Sequence, residues 1–412
     1  MDEKLLKELE SVYRDLHENP ELSFAERRTA NIVATRLEDL GYAVTRNVGG
    51  TGVVGVLERG TGPTVLLRAD MDGLPVREAT GLAYASEATA LNAEGIQVPI
   101  MHACGHDMHT TALLGAAGKL AADPHWSGKL MLVFQPAEEI GQGAQAMVDD
   151  GLFERFGTPV VVLGQHVAPL PAGSLGLRKG PAFAASDALK ITLHGRGGHG
   201  SRPETTIDPV VLAASVVLRL QTIVSREIAG TETAVLTVGS IKAGDAGNII
   251  PDSAELRVSV RTFNPDTRTR VLAGIERIVN GEALTAGAER TPEIEYLHSF
   301  PAVVNQDAAV DTVAAAFTAE LPHVKVVDPG VLTGSEDVGI LAKASGAACA
   351  YWLLGGADPQ HFSADHSLEE VVRTVGSLPS NHSPQYAPVI APTLAVGIGA
   401  LHAAATAWLG AR

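Results

Sequence analysis

The sequence predicts an α/β fold with a mostly parallel sheet, interrupted by an inserted ferredoxin-like domain. Two observations carry the first half of that expectation. Helical and strand-like stretches alternate up to about residue 165 and again after Pro301, and the strands read as short continuous apolar runs, the pattern of a sheet covered on both faces. A third carries the second half: from about residue 184 the order becomes β-α-β-β-α-β. The expected division is 1–183 together with 301–412 as one domain, and 184–300 as the insert.

Residues 3–18 and 24–40 repeat apolar side chains at helical spacing, and Asn19-Pro20 separates the two helices. Strands are expected at 52–57 and 64–69, a helix at 108–122, a strand at 129–134, a helix at 141–150 and a strand at 159–165. The insert should hold a strand at 186–195, a helix at 208–228, strands at 232–242 and 252–263, a helix at 266–285 and a strand at 291–298. A helix at 307–320, a strand at 347–354, a polar loop at 376–388 and a final helix complete the chain. The apolar stretch 393–409 is rich in alanine and glycine and contains His402; it reads as a buried helix rather than a membrane span.

Composition narrows the function classes. With 412 residues, 45% hydrophobic and 19% charged, the chain can bury a large core and is not disordered. Lys and Arg number 31 against 47 Asp and Glu, a net charge of −16, which argues against nucleic acid and anionic membrane as partners. Two cysteines, Cys104 and Cys349, exclude a disulfide framework, and with no apolar signal core at the N-terminus the expected location is cytoplasmic.

Chemistry concentrates at five places. The densest is Met101-His102-Ala103-Cys104-Gly105-His106-Asp107-Met108-His109, where thiol, imidazole and carboxylate are the ligand types of zinc and related ions. A Cys–His nucleophile pair and a polar loop of satisfied histidines are the rival readings. Glu138 and Glu139 leave the end of a strand as neighbours; one could bind metal while the other takes a proton from water, although such a pair is also an ordinary solvated loop. Asp70 and Asp72 alternate at another strand end, as imidazole-orienting carboxylates or as turn residues. His166 and His382 are single histidines, one after the 159–165 strand and one in the late loop. The glutamate pair, the aspartate pair and His166 fall at the ends of expected parallel strands, where ligands gather in open α/β sheets. Gly195–Gly200 fits G-x-G-x-x-G, but Pro203 follows and no helix opens to receive a pyrophosphate.

These residues resemble the M20 metallopeptidases, in particular the amidohydrolase branch with the hippurate hydrolases and indole-3-acetyl-amino-acid hydrolases. The resemblance runs nearly end to end: His17-Glu-Asn-Pro-Glu-Leu22, Arg68-Ala-Asp70-Met-Asp72-Gly-Leu-Pro75, Met101 to His109, Phe134-Gln-Pro-Ala-Glu138-Glu139, Gly164-Gln-His166, Gly197-Gly-His199, Asn248-Ile-Ile-Pro-Asp252, Gly334-Ser-Glu336-Asp337 and His382-Ser-Pro384. It implies a zinc-peptidase-like catalytic domain and a lid at 184–300 through which such enzymes dimerise. It implies Cys104, His106, Glu139, His166 and His382 as ligands of one or two divalent ions, zinc or manganese, with Glu138 as general base and Asp72 orienting a ligand or the base. His199 would stabilise the oxyanion, and Asn248 and Arg261 would grip the substrate. The implied reaction is hydrolysis of an N-acyl amino acid to a carboxylic acid and a free amino acid. An M20-type dipeptidase, a biosynthetic deacetylase and a non-catalytic metal-binding relative are the alternatives. Where many wider M20 relatives carry histidine this chain has Asp70, and it adds a ligand-type Cys104, so the resemblance leaves metal count and identity open.

Overall fold

The computed structural model describes residues 3–363 and 368–411. The chain forms two compact units: Met1–Ala182, Val304–Gly330 and Asp337–Arg412 in the first, Phe183–Val303 and Val331–Glu336 in the second.

The first unit is built on a nine-stranded sheet. At its centre Trp126–Gln135, Thr64–Asp70, Val161–Pro171 and Ala348–Ala357 lie side by side and parallel. Val65, Leu66 and Leu67 are fully buried, as an apolar run covered on both faces requires. Gly52–Arg59 departs from the parallel set. It pairs antiparallel with Trp126–Gln135 and, through the Gly49-Gly50 turn, with Ala43–Val48, a strand whose Thr45, Arg46 and Asn47 give it no apolar run to detect.

Helix His106–Ala122 packs under this sheet against the C-terminal helix Thr393–Trp408. Both are small-residue helices buried on nearly every side, and their backbones approach closely: a Cβ on Gly115 would meet Ile398 at 2.5 Å and Leu9 at 2.9 Å. The apolar stretch at 393–409 is therefore a core helix of this unit. Asp307–Glu320 also packs against it.

The second unit is a four-stranded antiparallel sheet in the order Ala234–Lys242, Ser253–Thr262, Ala185–His194, Glu293–Phe300. Helices Pro209–Thr222 and Pro265–Thr285 cover one face, so the chain order is β-α-β-β-α-β. Each helix starts on a side-chain cap: Asp208 accepts from the amides of Val210 and Val211, Asn264 from those of Asp266 and Thr267. Leu189, Ile191, Leu193, Val216, Leu256, Val258, Val271 and Ile275 form a core of its own. The expected helix 208–228 ends as an α-helix at Thr222 and continues as a π-turn to Glu227.

Candidate metal centre

Strand register sets the site. Asp70 lies opposite Gln135 in one neighbour, and Arg68 opposite Gly164 in the other, so Asp70–Asp72, Glu138–Glu139 and His166 emerge at the same carboxyl end of the central strands. His166 itself lies inside the strand Val161–Pro171, which runs past the expected end at 165. Helix His106–Ala122 opens at the same place, two residues before the start expected from its apolar spacing. Gly105 precedes it with φ +84°, and a Cβ there would stand 2.3 Å from Val167 Cγ1. Only glycine turns the chain that sharply between Cys104 and His106.

The donor atoms converge. Cys104 Sγ lies 3.4 Å from His166 Nε2, and His382 Nε2 3.3 Å from Glu139 Oε2. His106 Nε2 lies 3.7 Å from Glu139 Oε1 and 3.8 Å from Glu138 Oε2. Cys104, His106 and His166 form one group of ligand atoms within 4.8 Å of one another, and Cys104, Glu139 and His382 another. The structure thus brings Cys104, His106, Glu139, His166, His382, Glu138 and Asp72 together in the first unit.

The surroundings fix which nitrogen each imidazole presents. His166 donates Nδ1–H to the Val167 carbonyl at 2.8 Å, which leaves Nε2 as a lone pair towards Cys104. His106 turns Nδ1 to Asp72 at 3.3 Å. His109, although in the same motif, is used up: Nδ1 donates to Asp70 at 2.5 Å, and Nε2 accepts the Val167 amide at 2.7 Å. Asp72 does more than orient His106. Its two oxygens also accept the backbone amides of Glu138 at 3.1 Å and Glu139 at 3.0 Å, and the Ser23 hydroxyl at 2.7 Å. His382 comes from the late loop with φ +71°, its amide bound to the Ala103 carbonyl; Asn381 ties the same loop to the carbonyls of Cys104 and Val167.

Two buried atoms of this cluster, His106 Nε2 and Glu139 Oε1, make no hydrogen bond among the described residues. A buried polar atom without a partner costs about 1–3 kcal/mol, so a second atom of fitting chemistry belongs beside each. Thiol, imidazole and carboxylate around one point fit a divalent cation. The electrostatics agree. Burial, and then the charges of Asp72 and Asp70, push Glu139 up to about 8. Burial opposes a proton on His106, but Asp70, Asp72 and Glu139 overrule it and lift the imidazole to about 10. His166 is held well below its ordinary range by burial and by His109. Carboxylates that hold a proton on His106 would equally hold a cation beside it.

Several residues near the site carry structure that single-residue reasoning missed. Arg68, fully buried, donates to Asp70 at 2.6 Å, to Asp337 at 2.9 Å and to Gln135 at 2.9 Å. His17 sits between Asp107 (2.6 Å) and Glu78 (3.0 Å), entirely out of solvent. Glu26, buried at the head of helix Arg27–Asp39, accepts the Ala137 amide at 2.8 Å; burial and Asp72 push its carboxyl up to about 7.

The remaining predicted residues lie in the second unit. His199 pairs with Ile249 in a two-residue ladder, Gly200 donates to the Asn248 carbonyl at 2.8 Å, and His199 Nδ1 accepts from Ser201. Arg261 is half-buried in strand Ser253–Thr262, beside Ser186 and Val235. The 195–200 glycine stretch opens no α-helix; a single 3-10 turn, Pro203–Thr205, follows it.

Comparison with known proteins agrees with this construction. Residues 66–379 match Peptidase family M20/M25/M40. The chain is 42% identical over 351 residues to the hippurate hydrolase of Campylobacter jejuni, spanning 84% of this chain and 88% of that one. It is 36% identical over 336 residues to the N-acetyl-L-cysteine deacetylase of Bacillus subtilis, spanning 81% and 77%. Among solved structures it is similar to the YXEP protein of Bacillus subtilis, described as a dinuclear metal-binding peptidase, with TM-score 0.77, 28% identity and 98% of both chains covered.

Proposed function

The chain belongs to Peptidase family M20/M25/M40, and from that premise we propose that it hydrolyses the amide bond of N-acyl amino acids, releasing a carboxylic acid and a free amino acid. It is a metal-dependent amidohydrolase. The observation that carries this reading is the pairing of two unsatisfied buried ligand atoms, on His106 and Glu139, with a second carboxylate, Glu138, at 3.8 Å from the same imidazole.

Cys104, His106, Glu139, His166 and His382 would hold one or two divalent ions, zinc or manganese; such a cation polarises the amide carbonyl and lowers the pKa of water toward about 7. Glu138 takes the proton of the attacking water and gives it to the leaving amine nitrogen. Asp72 holds the Glu138 and Glu139 amides and the His106 ring, which keeps base and ligands in register. His199 stabilises the developing oxyanion, and Asn248 and Arg261 grip the substrate. The second unit serves as a lid and dimerisation domain; its strand order supports the ferredoxin-like part of that reading. A reduced thiol at Cys104 fits a cytoplasmic location.

The test is a panel of N-acetyl, N-benzoyl and dipeptide substrates on wild type, Glu138→Gln and His199→Ala, with metal content measured on each. Glu138→Gln should lose turnover by roughly 10²–10⁴-fold with its metal retained. His199→Ala should lose roughly 10²–10³-fold, also with metal retained. Chelator should abolish wild-type activity, and zinc or manganese should restore it. Near-normal turnover in Glu138→Gln, or activity indifferent to chelator, overturns the reading.

A further inference from the structure

We propose that Glu26 is a positioning residue for the general base: its buried carboxylate anchors the Ala137 amide and thereby fixes the direction in which Glu138 points. The inference rests on the reading of Glu138 as base and adds to it the device that aims it.

The loop that carries the two glutamates is held by its backbone. Three successive amides, those of Ala137, Glu138 and Glu139, are each given to a buried acid: the first to Glu26, the next two to Asp72. Ala137 stands at φ +51°, the left-handed region, which costs an L-residue roughly 1–2 kcal/mol. Something outside the residue must hold it there. Its carbonyl accepts the amides of Gln142 and Gly143 from the turn that follows, and among the described residues its own amide is held by Glu26 alone. Relaxing that residue to an ordinary φ would swing the peptide that begins Glu138.

Glu26 is placed for this task and not for the usual one of an acid at a helix start. It precedes helix Arg27–Asp39, yet its side chain makes no capping bond to that helix. It turns inward instead. Oε1 accepts the amides of Phe24 at 3.0 Å and Ala137 at 2.8 Å, and Oε2 accepts the Thr51 hydroxyl. Every partner is a donor, so both oxygens are engaged and the carboxylate cannot turn. The side chain is fully buried and stands close enough to Asp72 to feel its charge. Ala137 is bonded directly to Glu138, whereas the ligand Glu139 is one residue further on with its own amide on Asp72, so the anchor acts first on the base.

The experiment uses the full-length, zinc-loaded protein with N-benzoylglycine and reads kcat, KM and bound metal. Glu26→Ala should lower kcat about 10–100-fold, the effect of a catalytic group displaced by about 1 Å, with KM within about twofold and metal content unchanged. Glu26→Gln should recover most of the loss, since the amide oxygen still accepts from Ala137 while its nitrogen donates to Thr51. Glycine adopts the left-handed conformation freely, so Glu26→Ala should cost clearly less kcat in an Ala137→Gly background than alone. Should the alanine variant fail to fold, Glu26→Asp, whose acid no longer reaches Ala137, carries the same expectation. Unchanged kcat, a loss that follows metal content or KM, or strict additivity with Ala137→Gly overturns the proposal. Glu138→Gln measured alongside separates the two readings: activity retained there refutes the base, whereas activity lost there with an unaffected Glu26→Ala refutes only the anchor.

Discussion

His17 is the residue on which charge and burial compete most openly. Burial alone would keep its ring neutral, but the hydrogen bonds it donates to Asp107 and Glu78 overrule it and raise the imidazole to about 10. In the unfolded chain the same ring titrates near 6.5. The folded state therefore binds the proton more tightly, and the stability this provides is complete below pH 6.5 and drains away as pH climbs to about 10. His17→Gln should cost about 3–5 kcal/mol at pH 6, because it leaves two buried acids without their cation. The difference from wild type in denaturant unfolding should narrow steadily between pH 6.5 and 10; a gap independent of pH would show that the imidazole is neutral in the fold. Residues of this kind are hard to read from sequence. His17 and Asp107 are 90 positions apart, Arg68 and Asp337 are 269 apart, and each alone resembles an ordinary charged surface residue. Cys104 with His106, and Glu138 with Glu139, stand out in the sequence because ligand-type residues sit side by side in the chain; that the two groups meet is visible only in the fold.

At the scale of elements, the sensitive joint is the one between Cys104 and the helix beginning at His106. Gly105→Ala would combine the left-handed penalty of roughly 1–2 kcal/mol with a collision against Val167 at 2.3 Å. The expected result is a lower melting temperature and a larger loss of bound metal than of secondary structure, read by calorimetry and metal analysis on the same sample. Full metal occupancy in that variant would show that the turn tolerates a side chain. Which helices and strands exist was mostly visible in advance, since buried strands such as Thr64–Asp70 are continuous apolar runs. Ala43–Val48 and the hairpin Thr89–Leu91 with Gln97–Pro99 were not, because each is short and more exposed than buried and offers no apolar pattern. Val161–Pro171 runs past the end its sequence predicts because Gln165 and His166 interrupt the apolar run, and that interruption lies at the candidate site.

For the whole molecule, the two units have separate cores, and the five candidate ligands belong to one of them. A ligand that binds only the folded form stabilises what it binds, by about 2.7 kcal/mol at a hundredfold excess over its dissociation constant. Added zinc should therefore raise the melting transition of the first unit and leave that of the second where it was, with chelator reversing the shift. Equal movement of both transitions would show that they unfold as one. The inserted order was readable from the succession of strands and helices, whereas the span Val331–Glu336, which returns to the second unit after the chain has left it, has no helix or strand pattern to announce it.

The loop bearing Asn381 and His382 closes a pocket whose other walls are laid down much earlier in the chain, and it does so by gripping the main chain on either side of Cys104. During synthesis, most of the polypeptide must already have left the ribosome before the last donor arrives. A product terminated before Asn381 would lack both the fifth candidate ligand and the grip on Cys104, and should hold a divalent ion more weakly.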